Sequence, residues 1–163
     1  MGAGGFYLGR VFLAEGRAEP PAGQEVHAQW NVTGPGYFRT LGIPLLAGRD
    51  FDARDDSASL PVIIVNRRFA ELMFPSEDPI GKRVRSWRDE NVLRQIVGVV
   101  GDTRYFSVSD VVRGLVFVPH TQNSWSAMNL LVRTTGDHEA IIPALRAAVA
   151  RLDSELAVAD MRA

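Results

Sequence analysis

Cysteine is absent from the 163 residues, which removes disulfides, thiolate metal sites and a cysteine nucleophile in one step. An excess of charge of either sign is missing too: 18 basic and 19 acidic side chains leave a formal net charge of −1. Without a net positive field there is little to attract the dense negative charge of nucleic acid, so no nucleic-acid partner is expected. No stretch approaches the roughly 20 consecutive apolar residues that cross a bilayer. The opening Met1-Gly2-Ala3-Gly4-Gly5-Phe6 lacks the basic flank and apolar core of a signal peptide, so the chain as written is expected to stay where it is made. What is present is ordinary for a folded domain: 46% hydrophobic and 23% charged residues lie far from disordered or collagen-like compositions. The length is sufficient to bury a core without metal or disulfides.

The pattern along the chain predicts an α+β fold of mixed and antiparallel sheets with a few helices, one domain by default and no internal repeat. Phe6 to Leu13 reads as a strand. Val26 to Val32 reads as a second, with Val26, Ala28, Trp30 and Val32 alternating against His27, Gln29 and Asn31. The polar loop Glu15 to Gln24 makes the pair a hairpin. Gly34-Pro35-Gly36 ends it, and Tyr37 to Leu41 has the spacing of a short helix closed by Gly42. Ile43 to Phe51, broken by Pro44 and Gly48, is expected to be a bent extended connection, and Asp50 to Ser59 an acidic loop.

Pro61 to Val65 is a continuous apolar run of the kind buried on both faces. Asn66 is placed to cap a helix from Arg67 to Phe74, whose Phe69, Ala70, Met73 and Phe74 share one side, and Pro75 and Pro79 stop it. Lys82 to Ser86 and Leu93 to Gly101 are expected to pair antiparallel across the charged turn Arg88-Asp89-Glu90-Asn91. Gly114 to Pro119 and Met128 to Arg133 read as further strands. Ile141, Leu145, Ala148, Val149 and Leu152 repeat at helical spacing, with Asp137 near the start. Pro143 is assigned to the first turn, because an interior proline costs about 3 kcal/mol. Leu156 to Met161 reads as a last short strand.

Chemistry-bearing patterns are sparse. His27, His120 and His138 lie far apart and none has a partner at metal-ligand spacing. The acidic group Asp50, Asp52, Asp55 and Asp56 lacks the alternate ligands, central glycine and terminal glutamate of an EF-hand loop, so a solvated loop with one Asp–Arg contact is expected. Gly98-Val99-Val100-Gly101-Asp102 invites a phosphate-loop reading, yet fits neither the dinucleotide fingerprint nor the P-loop, and Gly81-Lys82-Arg83 lacks a following serine or threonine. Arg83, Arg85, Arg88 and Arg94 around Trp87 form a basic patch with an aromatic, suited to lipid headgroups, a partner protein or an acidic ligand, and more simply to a charged hairpin face. Asn31-Val32-Thr33 matches a glycosylation sequon, a frequent chance match. No serine sits in a nucleophile elbow and no carboxylate pair stands out. No catalytic, cofactor-binding or metal-binding residue is assigned, and the chain is expected not to be an enzyme.

One pattern is more specific. Gly36-Tyr37-Phe38-Arg39-Thr40-Leu41-Gly42-Ile43-Pro44-Leu45-Leu46-Ala47-Gly48-Arg49-Asp50-Phe51, followed by Asp55-Asp56, resembles the most recognisable segment of MacB-like periplasmic core domains, from the ABC-transporter permease group that includes FtsX. Val62-Ile63-Ile64-Val65-Asn66, Phe69-Ala70, Phe74-Pro75, Asp78-Pro79-Ile80-Gly81-Lys82 and Ile96-Val97-Gly98-Val99-Val100-Gly101-Asp102 are similar to the family's next blocks, in the same order. The resemblance covers roughly residues 10 to 160. Glycines at 42, 48, 81, 98 and 101 suit turns that a side chain would strain, the aromatics supply area to bury, and Arg49 is placed to fork onto Asp55. These are fold-defining roles.

The resemblance implies a domain on the periplasmic face of the inner membrane, between the first and second of four membrane helices. It implies a lobe A (about 1–35 plus 120–163) and a lobe B (about 36–119), with the chain ends side by side. Its partners would be its own transmembrane helices and an ABC ATPase, with a second permease copy or a periplasmic adaptor as further contacts, and it would need no cofactor. The expected function is non-catalytic: transmitting conformational change and contacting partner proteins or substrate during export. The alternative is a small-ligand-binding module using a cleft between the lobes.

Overall fold

A computed structural model of the chain describes residues 9–87, 89–103, 113–123 and 128–153. The chain divides into two units, residues 1–130 and 131–163. The first unit is built from β1 (Gly9–Ala14), β2 (Val26–Thr33), α1 (Tyr37–Leu41), β3 (Leu45–Gly48), β4 (Val62–Asn66), α2 (Arg67–Met73), β5 (Arg83–Ser86), β6 (Asp89–Val100) and β7 (Gly114–Pro119). Its strands form one mixed sheet in the order β3-β6-β4-β7-β2-β1-β5, and β5 pairs back onto β6. That last pairing closes β6-β4-β7-β2-β1-β5 into a ring. The 12-residue β6 makes this possible, because its first half pairs with β5, through Val84↔Arg94, and its second half with β3, through Gly48↔Gly98.

The two apolar faces of the ring explain the sequence pattern. One cluster takes a side chain from every ring strand: Phe12, Trp30, Val116, Val65, Ile96 and Val84. It is therefore the inside. A second cluster, with Val62, Ile64, Leu115, Phe117 and Val100, lies on the outer face under Phe38 of α1 and the following Ile43 and Phe51. β4 and β7 contribute alternate residues to both clusters, which is why each reads as an unbroken apolar run. Inside the ring, α2 contributes Phe69, Ala70 and Met73, followed by Phe74. α2 follows β4 directly, so it stoppers the end where β4 and β6 finish and where β2 and β7 begin.

The expected hairpin β1–β2 forms, as do α1, β4, α2, β7 and the antiparallel β5–β6 pair. Strands from both sides of residue 35 share the one sheet. Three local expectations need correction. The Ile43–Phe51 connection contains a strand, β3, because two glycines let its backbone approach β6: a Cβ on Gly48 would stand 2.1 Å from the Val97 oxygen, and one on Gly98 would stand 2.4 Å from the Arg49 oxygen. β6 starts at Asp89, so the turn after β5 is tighter than the four residues anticipated. Met128 to Arg133 is irregular, and its Met128, Leu130, Leu131 and Val132 are exposed. Strand propensity there lacks a neighbouring backbone, among the described residues, with which to form a ladder.

The second unit is described by α3 (His138–Leu152), entered through Asp137, whose side chain accepts from the Glu139 amide at 2.9 Å. The helix starts earlier than anticipated, and Pro143 lies inside it. The cap sets the start, and the proline gives up one main-chain hydrogen bond within the helix. The expectations for Phe6 to Leu8, for Leu156 to Met161 and for the positions of the chain ends lie outside the described residues.

Candidate functional site

The loop after β3 is organised by one forked ion pair. Arg49 donates from Nη1 and Nη2 to the two Asp55 oxygens, each at 2.7 Å, and Asp55 is only 3% exposed. Burial alone pushes the Asp55 carboxyl up; the Arg49 fork, then the Asp52 amide, more than offset this and leave it below the ordinary carboxylate value. Arg49 is correspondingly raised, chiefly by the same contact. The remaining acidic residues serve the turn. Asp52 accepts from Arg54 and is held low, first by that contact. Asp50 accepts from the Phe51 and Gly36 amides, and Asp56 from the Ser59 amide.

A residue without a local sequence signal stitches this loop to the ring. Gln122, just past β7, accepts from the Val62 amide at 2.9 Å and donates to Ser59 Oγ at 2.8 Å and the Leu60 oxygen at 3.0 Å. Thr121 donates to the Asp55 carbonyl. Nothing near residue 122 in the sequence announces partners some 60 positions away.

Asn66 is the second polar centre, fully buried at the end of β4. Its Oδ1 accepts from the Phe69 amide at 3.1 Å, capping α2, and from the Leu115 amide at 2.7 Å. Its Nδ2 donates to Asp102 Oδ1 at 2.8 Å and to the Arg113 carbonyl at 2.9 Å. Both donors and both acceptor positions of the amide are thereby used. Asp102 also accepts from the Arg68 amide at 2.9 Å. One side chain thus ties together the starts of α2 and β7 and the segment leaving β6.

The other motif residues take packing and turn positions. Phe38 meets Phe117 edge-on at 4.9 Å and Tyr37 at 5.4 Å, Phe51 is buried beside them, and Gly42 ends α1 at φ 72°. Phe74 lies between two cations, Arg17 at 5.2 Å and Lys82 at 5.4 Å, which both pair with Glu77. Pro75 and Pro79 flank the loop that turns, through Gly81, into β5. Gly98 lies in β6 against the Arg49 carbonyl, so the space a phosphate would need is occupied by backbone.

The basic patch disperses. Arg83 forks onto Glu15 at 2.7 Å, Arg85 stands 3.8 Å from Glu19, and Arg88 lies outside the described residues. Arg94 turns inward. Its guanidinium lies 5.0 Å from the Trp30 ring, Arg10 lies 3.8 Å over the same ring, and both donate to Asp89 Oδ2 at 3.3–3.4 Å. The two arginine side chains are only 13% exposed, and Arg94 is lowered, mainly by burial. This stack fills the inside of the ring toward the end opposite α2. Sequence reasoning missed it: Trp30 was visible as an inward strand residue, but Arg10 and Arg94 carry no local sign of burial.

The histidines are not brought together: His27 is on β2, His120 follows β7, and the His138 side chain lies outside the described residues. Among the described residues there is no group of three or more His, Cys, Asp or Glu able to hold a metal ion. Asn31 of the sequon lies within β2, its amide turned to the Gln29 and Val116 carbonyls at 3.4 Å. No described helix is long and apolar enough to cross a membrane.

Comparison with known proteins bears on what this scaffold is. A family model described as the MacB-like periplasmic core domain matches residues 10–157. The macrolide export ATP-binding/permease protein MacB of Marinobacter nauticus is 31% identical over 81 residues, which is 50% of this chain and 12% of that protein. Its counterpart in Haemophilus ducreyi is 27% identical over 93 residues, 57% of this chain and 13% of that protein. This chain thus aligns with only a small part of these relatives. Among solved structures, the periplasmic region of MacB from Actinobacillus actinomycetemcomitans matches with a TM-score of 0.56 at 16% identity, covering 88% of this chain and 63% of the other. A domain of a protein described as a permease from Porphyromonas gingivalis matches with a TM-score of 0.57 at 18% identity, covering 91% and 68%. These two likenesses concern the fold.

Proposed function

The chain belongs to the family of MacB-like periplasmic core domains, and from that premise we propose that it is a non-catalytic, extracytoplasmic part of an ABC-transporter permease that relays movement to partner proteins or substrate during export. The observation that carries this reading is how the polar motif residues are used. Arg49, Asp55, Asn66, Asp102 and Lys82 all bond within the fold, as in a scaffold that must move as one piece. A closed ring with a packed inside and a second cluster over the outer face of β4, β7 and the end of β6 suits the same role, since packed cores transmit displacement with little deformation. On this proposal the domain lies on the periplasmic face, its movers are membrane helices and an ABC ATPase, and its contacts include a second permease copy or a periplasmic adaptor.

The absence of cysteine makes the test clean within this domain, because introduced thiols there are the only ones. In the intact permease, spin labels on Ala22→Cys and Ser57→Cys report the interior of the domain, and a label pair from Ser57→Cys to a membrane-spanning segment reports its displacement. The expected result is an unchanged internal distance and a changed external one when ATP is bound. An external distance that stays fixed while export proceeds, or a ring that itself deforms with nucleotide, overturns the proposal.

A further inference from the structure

Ring closure leaves the sheet one strand with an unpaired side among the described residues. β3 pairs only with β6. All four of its residues are exposed, Leu45 at 45% and Leu46 at 44%. Natural edge strands are guarded by lysines, inward charges or a covering segment. Leu45-Leu46-Ala47-Gly48 carries no charge, and the adjoining Arg49 is committed to Asp55. Beside this edge runs an open groove of about 430 Å³ whose apolar lining comes from Ala47, Ala70, Phe74, Pro75, Pro79 and Val99. On its rim Arg67 and Glu71 stand one helical turn apart, both exposed, and neither forms an ion pair among the described residues.

We propose that β3 and this groove are a docking site for an extended segment of another protein, which adds a strand to the sheet and seats a large apolar side chain in the groove. Main-chain pairing supplies affinity in such a mode, and the side-chain pocket supplies selectivity. The rim charges give the partner a polarity: an acidic group near Arg67 and a basic one near Glu71. A second copy of this chain is the poorer occupant. A four-residue strand spans only about 13 Å, too short an edge for strand pairing between two copies to bury the roughly 800 Å² per partner of a stable dimer. The register shift between Leu45 and Ala47 would also set two bulged edges against each other, leaving main-chain groups out of step. This inference does not depend on the permease reading.

Random linear peptides displayed on phage and selected against this chain provide the probe. Selected peptides are expected to carry an alternating apolar pattern and to shift the backbone amide resonances of residues 45–48. Ala47→Trp, which fills the groove, and Leu46→Lys, which charges the edge, should each weaken binding about tenfold or more with unaltered thermal unfolding, since both positions are exposed. Peptides that bind both variants as tightly as the parent, or a selection that enriches none of the extended type, overturn the proposal. So does sedimentation showing a dimer that Leu46→Lys dissociates, which assigns the edge to a second copy.

Discussion

The two ends of the ring are closed by opposite means. At one, α2 contributes Phe69, Ala70 and Met73, and a buried Asn66 uses all of its hydrogen-bonding capacity to hold the helix there. At the other, Trp30 lies beneath two guanidiniums that share a single oxygen of the half-exposed Asp89, at distances long for charge-assisted bonds. The first closure rests on apolar area and complete polar satisfaction. In the second, long aliphatic stems and flat cations serve as filler, with cation–π attraction offsetting part of the desolvation. Burial of similar completeness therefore need not carry similar stability: what matters is how much of each buried group's water is replaced.

That difference sets a ranking of mutational effects. Phe69→Ala empties the stopper and should cost about 3–5 kcal/mol, read from urea unfolding followed by tryptophan fluorescence; a loss under about 1 kcal/mol would mean that α2 does not close the ring. Asn66→Ala should follow at about 3 kcal/mol, because it removes the α2 cap and leaves the Phe69 and Leu115 amides without an acceptor. Amide exchange should quicken at those two positions first.

Asp55→Asn sharpens the comparison from outside the ring, because the Asp55 carboxylate is a buried charge with its bonds complete. Its loss should cost about 2 kcal/mol at neutral pH. The Asp55 carboxyl is held below its ordinary value, so its contribution is fully present above the unfolded-state pKa of about 3.9. It is lost as the pH falls through the lower folded-state value. The variant's unfolding midpoint should therefore converge on the parent's in acid, and a constant gap down to low pH would contradict the assignment. Arg94→Met should be the mildest change, within about 1 kcal/mol, because an apolar chain replaces an incompletely paired cation and Asp89 is exposed enough to rehydrate. Trp30 emission should shift as the guanidinium leaves its ring, and a loss near that of Phe69→Ala would erase the distinction between the two ends.

The stopper end was legible in the sequence and the other end was not, for a reason of distance along the chain. Asn66, Phe69, Ala70, Met73 and Phe74 lie within nine consecutive residues, so strand, cap and helix spacing could be read together. Arg10, Trp30 and Arg94 come from three strands and meet through the pairings of β1 with β2, β1 with β5 and β5 with β6. The same contrast runs through the motif. The Arg49 and Asp55 fork spans six positions and was anticipated, whereas Gln122 reaches Val62 and Ser59 across about 60 and escaped notice. β3 escaped as well, since its pairing rests on the approach of Gly48 to Gly98 from the far side of β4 and α2.

By itself the sequence determined most of the local elements and their order: apolar period, caps and breakers act over a few residues, where the chain has little choice of partner. Closure of the sheet, the inward turn of two arginines and the one strand with an unpaired side among the described residues were decided by tertiary structure. These depend on which distant backbones meet, and main-chain donors and acceptors are the same for every residue type that could present them.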